Sequence, residues 1–163
     1  SDLERSLSEI SRVLTSGGRF SAIVFTTAEK TPFFSLPVSI IRGRRGLPPP
    51  DPGQPGPFSL GARGLLVGRL RAAGYEDVRE SVVSAPLRFA SAEECLRWRR
   101  EASGTMQEML RGLDDAEAED IWAEILEALR QFETPGGFES PCELLVCSAR
   151  KRSRISDSTT KRR

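Results

Sequence analysis

The sequence predicts an α/β fold in which amphipathic helices lead into apolar strands. Two segments, Leu3 to Phe25 and Leu65 to Val83, each give a short helix, a glycine-containing turn and a strand. The run from Glu143 to Ala149 is again nearly uniformly apolar, which is typical of a strand inside a sheet. These units together predict a sheet with helices packed on it.

The first helix is predicted from one apolar stripe. Its members recur at steps of three and four residues and are Leu3, Leu7, Ile10 and Leu14. Gly17 and Gly18 end this helix in the prediction, because glycine reaches the left-handed conformation of a helix C-cap without a Cβ clash. Phe20 to Phe25 follows and predicts a strand covered on both faces.

The stretch from Thr26 to Gly61 is predicted to be a long loop. Eight of the eleven prolines of the chain lie in it, and proline does not fit the interior of a regular helix or strand. Pro32 to Ile41 is nevertheless apolar enough to pack against the core. Long loops in compact domains are uncommon unless they are functional or disordered.

Residues 91–134 predict an inserted helical hairpin. Ser91 and Glu94 have the spacing of a capping box, and apolar residues continue at helical steps as far as Leu113. A second apolar stripe begins near Asp115, and Thr134 to Gly137 stops that helix. The two helices would lie between the last two strands.

The chain contains no histidine and three cysteines. The lack of histidine excludes Ser-His-Asp and Cys-His nucleophilic systems and most zinc sites. Cys95, Cys142 and Cys147 lack CxxC spacing, which favours structural thiols over a disulfide, and no metal site is predicted.

Charge is concentrated at the end of the chain. Seven basic residues and one acidic residue lie between 150 and 163. The whole chain has a net charge of +1, so residues 1–149 carry a net charge of −5. A disordered basic tail at 150–163 is therefore expected, and nucleic-acid binding by the folded part is not. No apolar run approaches the length of a membrane span and no signal-peptide pattern is present, so a cytoplasmic location is the default expectation.

Two junctions resemble one family. Arg12-Val13-Leu14, two further residues and Gly17-Gly18-Arg19-Phe20 resemble the RVLKPGGRF junction of class I S-adenosylmethionine-dependent methyltransferases, with Thr15-Ser16 in place of Lys-Pro. Leu70 to Val78 is similar to the L-x-x-AGF-x-x-V segment that precedes the sixth strand in that family. The resemblance covers nearly Ser1 to Arg150 and is to the small-molecule, type 11-like branch.

This resemblance implies the C-terminal half of a Rossmann-like methyltransferase sheet. Residues 1–149 would be a partial domain in which the three predicted strands are the fifth, sixth and seventh, in spatial order 5-7-6 with the last one antiparallel. The implied function is methyl transfer from S-adenosylmethionine to a small-molecule acceptor. The cofactor-binding half is expected to be missing, because no glycine-rich loop stands between a strand and a helix, and this chain alone is expected to be inactive.

The resemblance also places the region after the first strand at the substrate pocket, and two apolar helices could cover it. The candidate pocket residues are Phe33, Phe34, Phe58, Trp98, Met106 and Trp122. The alternative interpretation is that these side chains belong to the core or pin a surface loop. No catalytic acid or base is indicated.

Two further functions remain open at this point. The chain could be a non-catalytic binding or assembly module that docks on a partner chain, because Phe20 to Phe25 would expose an apolar strand edge. A nicotinamide-dependent reductase is the weaker alternative, since the chain carries no dinucleotide fingerprint.

Overall fold

Three strands from distant parts of the chain form the larger sheet. A computed structural model describes residues 2–50 and 54–153, so Gly53 and most of the predicted tail, 154–163, lie outside it. Strands β1 (Arg19–Phe25) and β2 (Tyr75–Ser84) both pair antiparallel with β6 (Glu143–Lys151), in the order β1-β6-β2. The last strand therefore lies antiparallel between two parallel strands. It includes Arg150 and Lys151, so the prediction of a disordered tail is wrong at these two residues, which the pairing with β1 and β2 orders. The numbering of β1, β6 and β2 as the fifth, seventh and sixth strands of a larger sheet stays a prediction.

Two helices pack on one face of this sheet. They are α1 (Leu3–Val13) and α3 (Leu65–Ala72). Leu7 is 2% exposed and Leu70 is fully buried, and both belong to a core that includes side chains of β6. Tyr75 ties this core together, because its hydroxyl donates a hydrogen bond to the Leu7 carbonyl at 3.1 Å.

The opposite face of the sheet is open, and the prediction that the first strand is covered on both faces is wrong. Ile23 is 65% exposed and Val83 is 40% exposed. Their partners across the ladders, Val146 and Leu144, share this face, whereas the core lies on the other. An apolar run alone does not distinguish a strand with two covered faces from one with a single covered face.

A helix replaces the first half of the predicted loop. Helix α2 spans Pro32–Arg44 and contains Pro37, so the loop prediction is wrong over these residues. Pro32 opens the helix, where no backbone N–H is needed. Phe33, Pro37 and Ile41 form its buried stripe, and packing of this stripe outweighs the lost hydrogen bond at Pro37. Between 45 and 61 the described residues form turns and irregular backbone.

The inserted segment contains three helices instead of the predicted two. They are α4 (Ala92–Ala102), α5 (Gly104–Leu110) and α6 (Asp115–Arg130). Ser103 divides the first predicted helix into α4 and α5, because its backbone is non-helical. Its hydroxyl accepts a hydrogen bond from the Met106 N–H at 3.3 Å. Helix α2 packs against α5 and α6, so this body has a core of its own.

A second, smaller sheet was not predicted. Its strands are β3 (Leu87–Phe89), β4 (Glu133–Thr134) and β5 (Gly137–Ser140), in the order β3-β5-β4. The residues predicted to stop a helix therefore form a hairpin turn. Gly137 is required there, because its φ is +118° and a Cβ would lie 2.9 Å from the Phe89 carbonyl oxygen.

Gly61 allows the chain to cross the end of β1. A Cβ at this position would lie 1.7 Å from the Thr26 carbonyl oxygen and 2.4 Å from that of Phe25. Both atoms belong to the backbone of a paired strand end, since the Thr26 N–H donates to the Glu143 carbonyl at 3.1 Å. The segment before α3 can therefore approach β1 only with glycine at 61.

We expect Gly61→Ala to lower the free energy of unfolding by about 1–3 kcal/mol, because the added methyl group must displace backbone atoms. Urea unfolding followed by circular dichroism measures this change. The matched control is Gly68→Ala in α3, where a Cβ meets no heavy atom within 4 Å. It should stabilise by about 0.5–1 kcal/mol. Equal stability of Gly61→Ala and the unmodified chain would contradict the close approach.

Candidate functional site

Four phenylalanines gather where β1 ends. The ring centroids of Phe25 and Phe34 are 5.4 Å apart, and that of Phe58 lies 6.0 Å from Phe25 and 5.9 Å from Phe34. Phe33 adds a fourth ring, 5.9 Å from Phe34. The end of β1, the first turn of α2 and the segment before α3 supply these side chains. They are called the phenylalanine cluster below.

A buried arginine lies against this cluster. Arg99 on α4 is 3% exposed, and its guanidinium carbon lies 4.7 Å from the ring centroid of Phe34 and 5.6 Å from that of Phe33. One terminal nitrogen contacts the sulfur of Met106 at 3.1 Å, and the buried Nε has no hydrogen-bond partner. A guanidinium that faces aromatic rings in this way makes cation–π interactions. Arg99 and the phenylalanine cluster together are called the Arg99 site.

No carboxylate pairs with Arg99 within residues 2–50 and 54–153. The ion pairs of α4 involve other side chains: Arg97 lies 3.7 Å from Glu94, Arg100 pairs with Glu119, and Glu93 lies 3.1 Å from Arg130. Burial lowers the pKa of Arg99, but arginine keeps its charge in proteins. The site therefore holds a buried positive charge among neutral side chains.

Cys95, one turn before Arg99, is a thiol at neutral pH. Burial raises its pKa to about 11, although the neighbouring Arg99 acts in the opposite direction. Burial also raises the pKa of Cys142 and Cys147, and all three cysteines are free. Because the thiolate is the reactive form, none of them is placed to act as a nucleophile at neutral pH.

Four of the six predicted pocket residues lie at the Arg99 site. They are Phe33, Phe34, Phe58 and Met106. Their shared location follows from the packing of α2 against α5 and from the segment before α3 that returns to β1. Their role in binding a substrate stays a prediction.

The two tryptophans lie elsewhere. Trp98 is 45% exposed and packs on Phe89 of the small sheet, with ring centroids 5.8 Å apart. Trp122 is 6% exposed in the helical core, where the Arg100 guanidinium lies over its ring at 5.0 Å. Neither makes one of the ring contacts of the phenylalanine cluster.

Sequence reasoning missed Arg99 and Phe25. The signal for Arg99 is present in the sequence: Ala92, Cys95, Leu96 and Arg99 follow helical spacing and are the buried residues of α4. A charged residue on an apolar stripe is unusual, because arginine is seldom fully buried unless it is paired. Phe25 carries no comparable signal, because it is the last residue of an apolar strand.

An apolar groove of about 310 Å³ runs beside the cluster. Ile23, Val24, Phe25 and Leu144 line the sheet side, and the other side is lined by Gly56, Pro57, Ser59 and Leu60. Phe25 is the member of the cluster that lines the groove, and it packs on Phe34, which contacts Arg99. Phe25, Phe34 and Phe58 are all half-buried, so solvent reaches their rings. The site can therefore accept an apolar group at the surface of the protein.

Two glycines near the start of α3 have structural roles in this fold. Gly61 lies against the end of β1, and Gly64 caps α3, where its N–H donates to both carboxylate oxygens of Glu80 at 3.1 and 3.2 Å. In the described ranges, no group of three or more histidine, cysteine, aspartate or glutamate side chains could hold a metal ion. No helix among these residues is long and apolar enough to cross a membrane.

We expect Arg99→Met to leave the free energy of unfolding unchanged or to raise it by up to about 4 kcal/mol, because methionine fills a similar volume without a buried charge. Arg97→Met, on the exposed face of the same helix, is the matched control and should change stability by no more than about 0.5 kcal/mol. Urea unfolding measures both. Destabilisation of Arg99→Met by more than about 2 kcal/mol would show that the guanidinium is fully compensated within the fold.

Comparison with solved structures adds a distant likeness. No family model matches this chain, and no curated protein matches it. Among solved structures, it is similar to the crystal structure of a putative methyltransferase from Bacillus halodurans C-125, with 15% identity and a TM-score of 0.44. The match covers 92% of this chain and 63% of that protein.

Proposed function

We propose that this chain is the C-terminal part of a class I S-adenosylmethionine-dependent methyltransferase domain of the small-molecule, type 11-like branch. Residues 1–149 form the partial domain, 91–134 are its helical insertion, and the basic segment 150–163 begins with the last two residues of β6. Strands β1, β6 and β2 are then the fifth, seventh and sixth strands. The complete protein transfers a methyl group from S-adenosylmethionine to a small acceptor.

The observation that carries this proposal is the position of β6. A strand at the end of the fold lies antiparallel between two parallel strands, which are each preceded by a helix and a glycine turn. The two sequence junctions that resemble the family fall where α1 meets β1 and where α3 meets β2. Sequence motif and strand direction therefore support the same assignment.

In this proposal, the acceptor binds at the Arg99 site. In open α/β sheets, ligands bind outside the carboxyl ends of parallel strands, and the phenylalanine cluster lies at the carboxyl end of β1. Methyl transfer requires alignment of an already electrophilic methyl group with its acceptor more than it requires a catalytic acid or base. An apolar wall that positions the acceptor is consistent with this chemistry.

The outer edge of β1 is where the cofactor-binding strands would pair. Thr26 donates its N–H to Glu143 of β6, and alternation along the strand directs the N–H of Ile23 to the opposite edge. In the described part of the chain, β1 pairs with β6 alone. The proposal assigns S-adenosylmethionine binding to strands beyond this edge and none of it to the residues of this chain.

Joining this chain to the coding sequence upstream of it in the genome tests the proposal. Isothermal titration with S-adenosylhomocysteine should give heat for the joined protein and none for the chain alone. Ile23→Pro in the joined protein should abolish this heat, because proline cannot donate a hydrogen bond to the next strand.

The matched control is Val82→Pro on the outer edge of β2. The Ala85 N–H donates to Cys142 across the sheet, so the N–H of Val82 points away from β6. In the proposal this edge is the end of the sheet, and cofactor binding should persist. Tight binding of S-adenosylhomocysteine by the isolated chain, or undiminished binding by Ile23→Pro, would contradict the assignment.

A second candidate function is a non-catalytic assembly module that docks through the same edge. Ile23 is 65% exposed, and the outer edge of β1 has no strand partner among the described residues, which favours this function. Light scattering after size exclusion distinguishes the two functions. A stable, monodisperse chain whose joined form gives no heat with S-adenosylhomocysteine would favour the module over the methyltransferase.

A further inference from the structure

The positive charge of Arg99 has no anionic partner in the described structure. Its guanidinium faces two aromatic rings and a thioether, and Nε, itself buried, donates no hydrogen bond. A buried donor without an acceptor is rare in native proteins and calls for an explanation. A ligand that supplies the missing acceptor is one such explanation.

The groups near Arg99 do not supply that acceptor. Cys95 is protonated at neutral pH, because burial raises its pKa to about 11. Glu94 accepts a hydrogen bond from the Ala90 N–H at 2.7 Å and lies near Arg97, and Glu101 is exposed at the end of α4. Glu93, the remaining carboxylate of α4, pairs with Arg130 at 3.1 Å. None of the three carboxylates of this helix forms an ion pair with Arg99 in the described structure.

The Arg99 site suits a ligand that has a carboxylate and an apolar ring. A guanidinium matches a planar carboxylate through two parallel hydrogen bonds, which a thioether and aromatic rings cannot form. Phe34 contacts both Arg99 and the rings of Phe25 and Phe58. An apolar surface therefore lies directly beside the guanidinium. That surface continues into the groove beside β1.

We propose that Arg99 binds the carboxylate of an aromatic carboxylic acid whose ring lies against Phe34 and Phe58. Access requires a rotamer change of the half-buried Phe34, a motion that side chains at a surface make rapidly. The identity of this ligand as the methyl acceptor rests on the proposed function. Carboxylate binding by itself does not, since every residue involved belongs to this chain.

Titration of the full chain with benzoate, and with benzamide as its neutral counterpart, tests the proposal. The readout is the nuclear magnetic resonance signal of the Arg99 Nε–H, which is assigned by its absence in Arg99→Met. We expect benzoate to shift this signal saturably and benzamide to leave it in place. Arg99→Met should weaken benzoate binding, followed through the backbone signals of Phe34 and Phe58, by about tenfold or more, as expected for loss of a charge-assisted pair.

Arg97→Met is the control for a general loss of positive charge and should bind benzoate like the unmodified chain. Equal benzoate affinity in Arg99→Met, equal response to benzamide, or no saturable shift in the unmodified chain would each overturn the proposal. The measurement needs no methyl donor. Failure of the joined protein to bind S-adenosylhomocysteine would therefore leave a positive benzoate result standing, and the two failures are distinguishable.

Discussion

Strand β6 hydrogen-bonds along both of its edges, and the rest of the structure depends on this double pairing. Odd-numbered positions such as Leu145 and Cys147 point into the core and are fully buried. Without β6, β1 and β2 would have no strand partner among the described residues. The sheet therefore forms only when the end of the folded chain returns to its beginning, which is a contact between residues distant in sequence.

The start of β6 also positions the candidate site. The Glu143 carbonyl accepts the Thr26 N–H, and the Glu143 N–H donates to the Lys30 carbonyl at 3.2 Å. These bonds fix both ends of the segment between β1 and α2. Phe25 and Phe34 are held on either side of that segment, so the phenylalanine cluster depends on the same strand that completes the sheet.

Arg99 lies where the two cores of the protein meet. The sheet core contains side chains of α1, α3 and the three long strands, whereas the helical core contains those of α2, α4, α5 and α6. Phe34 contacts the end of β1 on one side and Arg99 of α4 on the other. A charge at this junction weakens packing unless a ligand compensates it, a conflict between stability and function that is common at binding sites.

Part of the site could be predicted because phenylalanine near a strand end is conspicuous in the sequence. The family resemblance predicts Phe33, Phe34 and Phe58 as pocket residues, and the fold brings their rings together. Trp98 and Trp122 are also apolar, but Trp98 packs on Phe89 and Trp122 lies in the helical core. The position of a tryptophan on an apolar helical stripe does not predict which neighbour it contacts. The sequence analysis does not predict Arg99 as a site residue, because an arginine in a helix is seldom fully buried unless it is paired.

The sequence by itself determined the helix–turn–strand units that end at Phe25 and near Ser84, the final strand, the start of α4 at its N-cap Ser91, and the start of α6 near Asp115. These features depend on interactions between residues a few positions apart, which periodicity and capping residues record. Only the tertiary structure decided that Pro32–Arg44 is a helix, that one face of the sheet is open, and that Arg99 meets Phe34. Each of these outcomes depends on which distant surface packs against the segment. The local pattern of apolar and polar residues does not specify that contact.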